Sequence, residues 1–371
     1  SKKVLLLYLR PTINRVILIF TIMNIPQKTL SLLAVASLFA FSSLSAVETD
    51  PVGYVTLTIN GSSNGSVAYT PLSLSLEKPV QASGALSETP TSAVATDSSA
   101  SYTPSEFAGT DAAGNATHYL QFTGSGVIVD ITANTATSIT ADTDLTGVAD
   151  SGAGYVVKEH MTISDVFGAT NSAGFTSGSD APSSDLIYVM SSDGAGSYST
   201  YYYQTDSFGF LGGTGWRLNG DANTDAANVT IMPDEGIIIA RAAAGDLSVV
   251  LSGSVNVIDH SCSLPAGFSL VSYPFPVDVK LDESGIYSAT NGYVSGSDSA
   301  SSDIVYVLQS DGSFANYYYQ TDSFGFLGGT GWRLAGDAYT DVGDTYSIPA
   351  GSSVIIKHTG SGLLWADAKP F

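Results

Sequence analysis

Two short segments, 186–191 (LIYVMS) and 304–309 (IVYVLQ), are apolar at successive positions, and after a Ser-Asp-Gly turn each leads into a tyrosine-rich run, 198–204 (YSTYYYQ) and 314–320. An apolar run, a turn and an aromatic run in that order predict a β-hairpin. The second tip is two residues shorter than the first. Because strand side chains alternate with a period of two, that difference leaves every side chain on its own face. Strands apolar at every position must be covered on both sides, which predicts a sandwich, a barrel or a contact between layers. Segments 236–240 (GIIIA) and 353–357 (SVIIK) carry the same signal, and 52–59 (VGYVTLTI) alternates well enough to open a sheet. Runs at 118–122, 127–131, 138–141 and 154–157 predict a small barrel or an added sheet. Between them and the first strands, 82–116 is rich in Ser, Thr, Ala and Asp with little apolar periodicity, the pattern of a long surface loop or a mobile insertion.

The hairpins belong to a larger repeat. Residues 201–218 (YYYQTDSFGFLGGTGWRL) recur without a change at 317–334, the flanks 174–185 and 292–303 match less strictly, and 66–76 is similar to 268–281. A duplicated module of roughly ninety to a hundred residues is the natural unit. The fold expected is all-β, tandem β-sandwich or β-barrel-like modules with an internal duplication. The linear division is an N-terminal β domain at 47–160, a first repeat at 161–258 and a second at 259–371.

Residues 1–46 hold five basic residues and no acid, then the apolar run 30–41 and small residues up to Ala46. This reads as a signal peptide, with Met23 a candidate start, and predicts an exported protein: extracellular, at the cell surface or periplasmic. Pro26, Gln27 and Lys28 interrupt the apolar stretch, so no transmembrane segment is expected in the mature chain. Beyond the leader, 8 basic residues face 34 acids, a net charge of −26, which argues against nucleic acid as a partner. Of the acids 27 are Asp, which favours turns over helices. Cys262 is the single cysteine, so stability must come from burial without an internal disulfide.

The start DPVGYVTLTI (50–59), the segment 267–281 with PVDVKL, the Tyr-rich strand leading to GWR (215–217, 331–333) and the closing IPAGSSVIIK (348–357) together resemble a family of exported bacterial proteins typical of Verrucomicrobia. The resemblance spans most of the mature chain. It implies no activity, cofactor or catalytic residue. Here TDSFGFLGG (205–213) lengthens the link between the aromatic strand and the Trp-Arg element.

No grouping names a reaction. The GSSNG string at 61–65 follows a strand but has no helix after it, and the four histidines show no zinc spacing. Asp221, Asn223 and Asp225 have the alternation of a calcium loop, but Ala226 and Met232 stand where glycine and a closing glutamate belong, leaving a weak calcium candidate as the sole cofactor. The rings of the repeated block occupy both faces of their strand, so at least some are core; the alternative is a surface used twice, whose candidate contact residues are Tyr202, Trp216 and Arg217, and their counterparts Tyr318, Trp332 and Arg333. Export, acidity and repetition point to a non-enzymatic secreted or cell-surface structural or adhesive protein. Its partners would be other copies of itself, cell-surface proteins or polysaccharide. The alternative is a carbohydrate-binding module using the repeated Tyr and Trp.

Overall fold

The structure, a computed structural model, describes residues 51–370 apart from 64, 192–193, 208, 310, 323–324 and 326–327. The leader at 1–46 and the start at Met23 lie outside the described residues. Strands dominate. The chain opens with β1 (Val52–Ile59), β2 (Ala68–Leu72) and β3 (Leu76–Glu77). It continues through β4 (Ala82–Ala85), β5 (Val94–Thr96), β6 (His118–Phe122), β7 (Ile128–Asn134), β8 (Ser138–Ala141) and β9 (Gly154–Glu159). Then come β10 (Met161–Thr162), helix α1 (Ile163–Phe167), β11 (Leu186–Met190), β12 (Tyr198–Gln204), β13 (Gly215–Leu218), β14 (Thr230–Ile231), β15 (Ile237–Arg241) and β16 (Leu247–Val255). The last part holds β17 (His260–Leu264), β18 (Gly267–Ser272), β19 (Val279–Lys280), β20 (Ile304–Leu308), β21 (Phe314–Gln320), β22 (Gly331–Leu334), β23 (Ser347–Ile348), β24 (Ser353–His358) and β25 (Leu363–Asp367). The fold class is all-β. Helix α1 lasts five residues, opened by a capping box in which Thr162 and Asp165 satisfy each other's backbone N–H.

The two hairpins pair as their patterns predict, with Ile187 opposite Tyr201 and Val305 opposite Tyr317. Each lies in a five-stranded antiparallel sheet, ordered β13-β12-β11-β15-β2 in one case and β22-β21-β20-β24-β18 in the other. Strand β1 pairs with β16 as β17 pairs with β25. The copies therefore share topology, and 66–76 and 268–281 contribute equivalent strands.

This arrangement corrects the linear division at His160. Strands β1 to β3 pair with β15 and β16, so they complete the first module and do not belong to a separate N-terminal domain. Strands β4 to β9 are an insert between β3 and β10, a six-stranded sheet ordered β4-β9-β6-β7-β8-β5. Of the two readings of 82–116, a surface loop or an insertion, the loop is corrected, because the segment opens the inserted sheet. It supplies β4 and β5 and buries Leu86, Ala95 and Phe107. Its strands are short and built from small residues, so they carry no readable period. Asp97 and Asp111 close its turns by accepting nearby backbone N–H groups.

Successive apolar residues are explained by cover on both faces. Ile187, Ile237 and Ile239 enter the core of the first module, and Val305, Val354 and Ile356 that of the second. The alternate residues Met190, Ile238, Leu270 and Ile355, flanked by Tyr188 and Tyr306, form a separate cluster between the two sheets. The modules thus pack back to back. Their contacts are reciprocal: Ser73 N–H donates to Gly351 O at 2.8 Å, and Ser272 N–H donates to Asp234 O at 2.9 Å. Between them the two buried hydroxyls meet at 2.5 Å. Ser73 Oγ donates onward to Tyr273 O, and Ser272 Oγ accepts from Leu74 N. Equivalent residues meeting across a line is the mark of a two-fold relation. Close approach continues at the hairpin tip, where Phe268 N–H donates to Gly194 O. A Cβ on Gly194 would stand 2.1 Å from Ala266 O, and its φ of +76° is open to glycine.

Candidate functional site

The six aromatic and arginine residues singled out by the sequence are interior, between 0% and 4% exposed. That agrees with the reading of the block as core and corrects the alternative in which these residues contact a ligand. Tyr201, Tyr203 and Trp216 belong to the first core, with the Tyr203 ring edge-on to Trp216 at 5.2 Å. Trp216 Nε1 donates to Gly168 O at 2.9 Å. Tyr202 faces the other way and donates to Gln204 Oε1. Arg217 donates through Nε to Ala222 O, through one terminal nitrogen to Trp216 O and through the other to Gly212 O and Gly213 O. Arg333 makes the equivalent set with Ala338, Trp332, Gly328 and Gly329. Tyr318 donates to Gln320 Oε1, and the Trp332 ring meets Tyr319 and Tyr293 edge-on.

The polar residues of the repeated block have the same role. Gln204 Nε2 donates to the carbonyls of Leu211, Gly213 and Ala222. The Asp206 carboxylate accepts from the N–H groups of Gly209, Phe210, Leu211 and Gly213. Those donors, Leu211 foremost, hold its carboxyl below the usual carboxylate range. A glycine-rich loop exposes backbone groups that no strand pairs, and here side chains satisfy them. Phe210 joins this network only through its backbone N–H, and the residue is 87% exposed.

The calcium candidate is likewise engaged with its own backbone. Asp221 Oδ1 accepts from the N–H of Asn223 and Thr224. Asp225 Oδ1 accepts from Ala227 N and faces Arg217 at 3.5 Å. Among the described residues no group of three His, Cys, Asp or Glu side chains is arranged to hold a metal ion. The alternation of oxygens that suggested calcium is a pair of Asx turns.

The concave feature with ionisable walls lies elsewhere, where the insert and both modules meet. A half-open cleft of about 510 Å³ is lined by Asp130 and Asp142 of the insert, Asp234 and Glu235 of the first module and Cys262 of the second, among others. Burial, reinforced by the Asp234 charge, pushes Glu235 up to about 8. Burial and the Asp130 charge raise Asp142. Burial, with Asp234 beside it, lifts the Cys262 thiol well above its usual value, so it is protonated and a poor nucleophile. Behind the cleft, Lys158 pairs with Glu77, each 5% exposed. His160 Nε2 meets Asp130 Oδ1 at 2.9 Å. The site combines a carboxyl that is neutral at pH 7 with carboxylates lacking a lining cation, so it can exchange protons and attract positive charge. Sequence reasoning missed it because its residues come from separate segments whose meeting depends on the insert.

Comparison with protein-family models, curated proteins and solved structures finds no match, so the functional reading rests on these residues alone.

Proposed function

We propose that this is a non-enzymatic, exported structural or adhesive protein whose duplicated β modules form one rigid block at the cell surface or in the extracellular space. The observation that carries this reading is the repeated block itself: Gln204, Asp206, Trp216 and Arg217 are directed inward, toward fixing a loop and a core. Such a block serves shape and rigidity. The acidic, exported character of the sequence agrees with it, as does the resemblance to exported bacterial proteins. The test is to express the chain with its leader, fractionate the cells and probe intact cells with protease. Surface-accessible protein that mediates attachment between cells or to matrix supports the reading. Cytoplasmic retention would sink it, as would hydrolysis of a substrate panel that Glu235→Gln abolishes.

A second reading, carbohydrate binding, no longer has Tyr202, Trp216, Tyr318 and Trp332 to rest on. It draws instead on an open ring cluster at the seam between the modules, where Tyr198, Phe268, Tyr306 and Phe314 line a hollow of about 350 Å³. Exposed ring faces suit stacking on sugars. Retention on a glycan array that Phe314→Ala removes would favour it, and no retention by the parent protein would end it.

A further inference from the structure

Among the described residues β1 is the longest strand at the edge of a sheet, eight residues at one side of the order β1-β16-β3. Val255 N–H donates to Pro51 O at 2.8 Å, so in the antiparallel register that follows Gly53, Val55, Leu57 and Ile59 turn their backbone groups toward β16. The N–H and C=O groups of Val52, Tyr54, Thr56 and Thr58 therefore point the other way, and no strand among the described residues takes them up. The second module shows that this edge accepts a neighbour. Its equivalent strand, β17, pairs with β25 on one side, and on the other the insert lies against it: Ser261 N–H donates to Gly126 O at 3.1 Å, and Val127 bridges Ser261. An open edge is ordinarily blunted by a charge, an internal proline or a bulge. Strand β1 carries none of these. Residues 51–76 hold no charged side chain, and the pairing with β16 runs in unbroken register. On the solvent face Val52 and Tyr54 are each 77% exposed, and Val250 of β16, opposite Thr56, is 62% exposed. The result is an uncharged, partly apolar patch on a chain of net charge −21.

We propose that β1 is a self-association edge: two copies of this chain pair β1 against β1, antiparallel, and join their three-stranded sheets into one continuous sheet across a two-fold axis. The occupant is a second copy because of charge. Over most of an acidic chain like charges oppose contact between copies, and at this edge there are none. The strand is also complementary to itself. Outward groups must meet outward groups, so the register that uses all of them sets Val52 opposite the second copy's Thr58 and Tyr54 opposite the second copy's Thr56, with the axis at Val55. Each of those pairs exchanges two N–H to C=O bonds, and the Tyr54 ring lies over a threonine methyl on the solvent face. An isologous contact of this kind closes on itself, so it gives dimers and not fibres. The pairing goes beyond the structural reading above and stands on the edge alone, so it can fail or hold whether or not the protein is exported.

Sedimentation equilibrium of the protein purified from cells expressing the whole chain tests this. The parent protein is expected to pass from monomer to dimer over a dilution series, with no larger species. Thr56→Pro removes an outward N–H and leaves the bonds to β16 in place, a position where an edge strand tolerates proline, and is expected to weaken the dimer at least ~tenfold while the circular-dichroism spectrum stays that of the parent. A pair of double variants at the two exposed positions tests the register without touching the backbone. Tyr54→Lys with Thr56→Lys sets like charges opposite each other in the dimer and is expected to leave monomer. Tyr54→Lys with Thr56→Glu sets opposite charges at the same places and is expected to restore the dimer. A parent protein still monomeric at about 100 μM would overturn the proposal. So would assembly that grows without limit, or a dimer that survives the like-charge pair of substitutions, which would put the contact elsewhere on the molecule.

Discussion

Replacing Glu235 with Gln removes the carboxyl whose ionisation is most opposed by its surroundings at the junction cleft. Burial and Asp234 raise it from 4.5 to about 8. A raised acid binds its proton more tightly when folded, so the stability it contributes is complete below about pH 4.5 and is lost as pH rises through 8. The rise from 4.5 to about 8 corresponds to an upper limit of about 5 kcal/mol. Glu235 lines an open cleft and is only partly buried by surface area, so water screens it and roughly 2–4 kcal/mol is the working figure. The parent and Glu235→Gln proteins should therefore have similar urea midpoints at pH 4.5, where both side chains are neutral. By pH 8.5 the variant should be the more stable by that amount. The difference between the proteins isolates this group from every other titration. Parallel stability curves between pH 4.5 and 8.5 would refute the assignment of Glu235 as a carboxyl held neutral by its site.

Truncating Trp216 or Trp332 to Ala should cost about 3–5 kcal/mol, read as a fall in thermal midpoint, because each ring is fully enclosed; Phe210→Ala should change stability by less than about 0.5 kcal/mol. Ser73→Ala and Ser272→Ala should each destabilise by about 1 kcal/mol and combine non-additively in a double-mutant cycle, since each hydroxyl is the other's partner. Asp206→Ala should abolish exchange protection at Gly209 to Gly213 without unfolding β12. In the parent protein that protection should fade at acid pH, as the carboxyl that accepts those N–H groups protonates through its lowered value.

What the sequence revealed and what it hid follow one physical line. Strand faces are set locally, so the successive apolar residues at 186–190 and 304–308 announced cover on both sides, and the two-residue difference in hairpin tips announced a shared register. Pairing partners far along the chain are not set locally. Nothing in 52–59 says that its partner is β16, some two hundred residues away, and the insert between β3 and β10 made the first module look like two domains. The repeated Tyr, Gln, Asp, Trp and Arg invited a surface reading because their types suit binding. Yet a loop with Gly at 209, 212, 213 and 215 leaves N–H and C=O groups without strand partners, and the same polar side chains satisfy them. That need was readable in principle. The junction cleft was not, because Asp130, Asp142, Asp234, Glu235 and Cys262 converge only after three sheets have docked.

The central claim is that two copies of one β module close on each other through the outer faces of their five-stranded sheets, with the insert seated against both. A crystal structure of the protein tests it most directly. The account predicts that the copies superpose strand for strand, with Ser73 and Ser272 in hydrogen-bond contact and Met190, Ile238, Leu270 and Ile355 in one dry cluster between them. Modules joined only by the connection between β16 and β17, with those residues facing water, would contradict it.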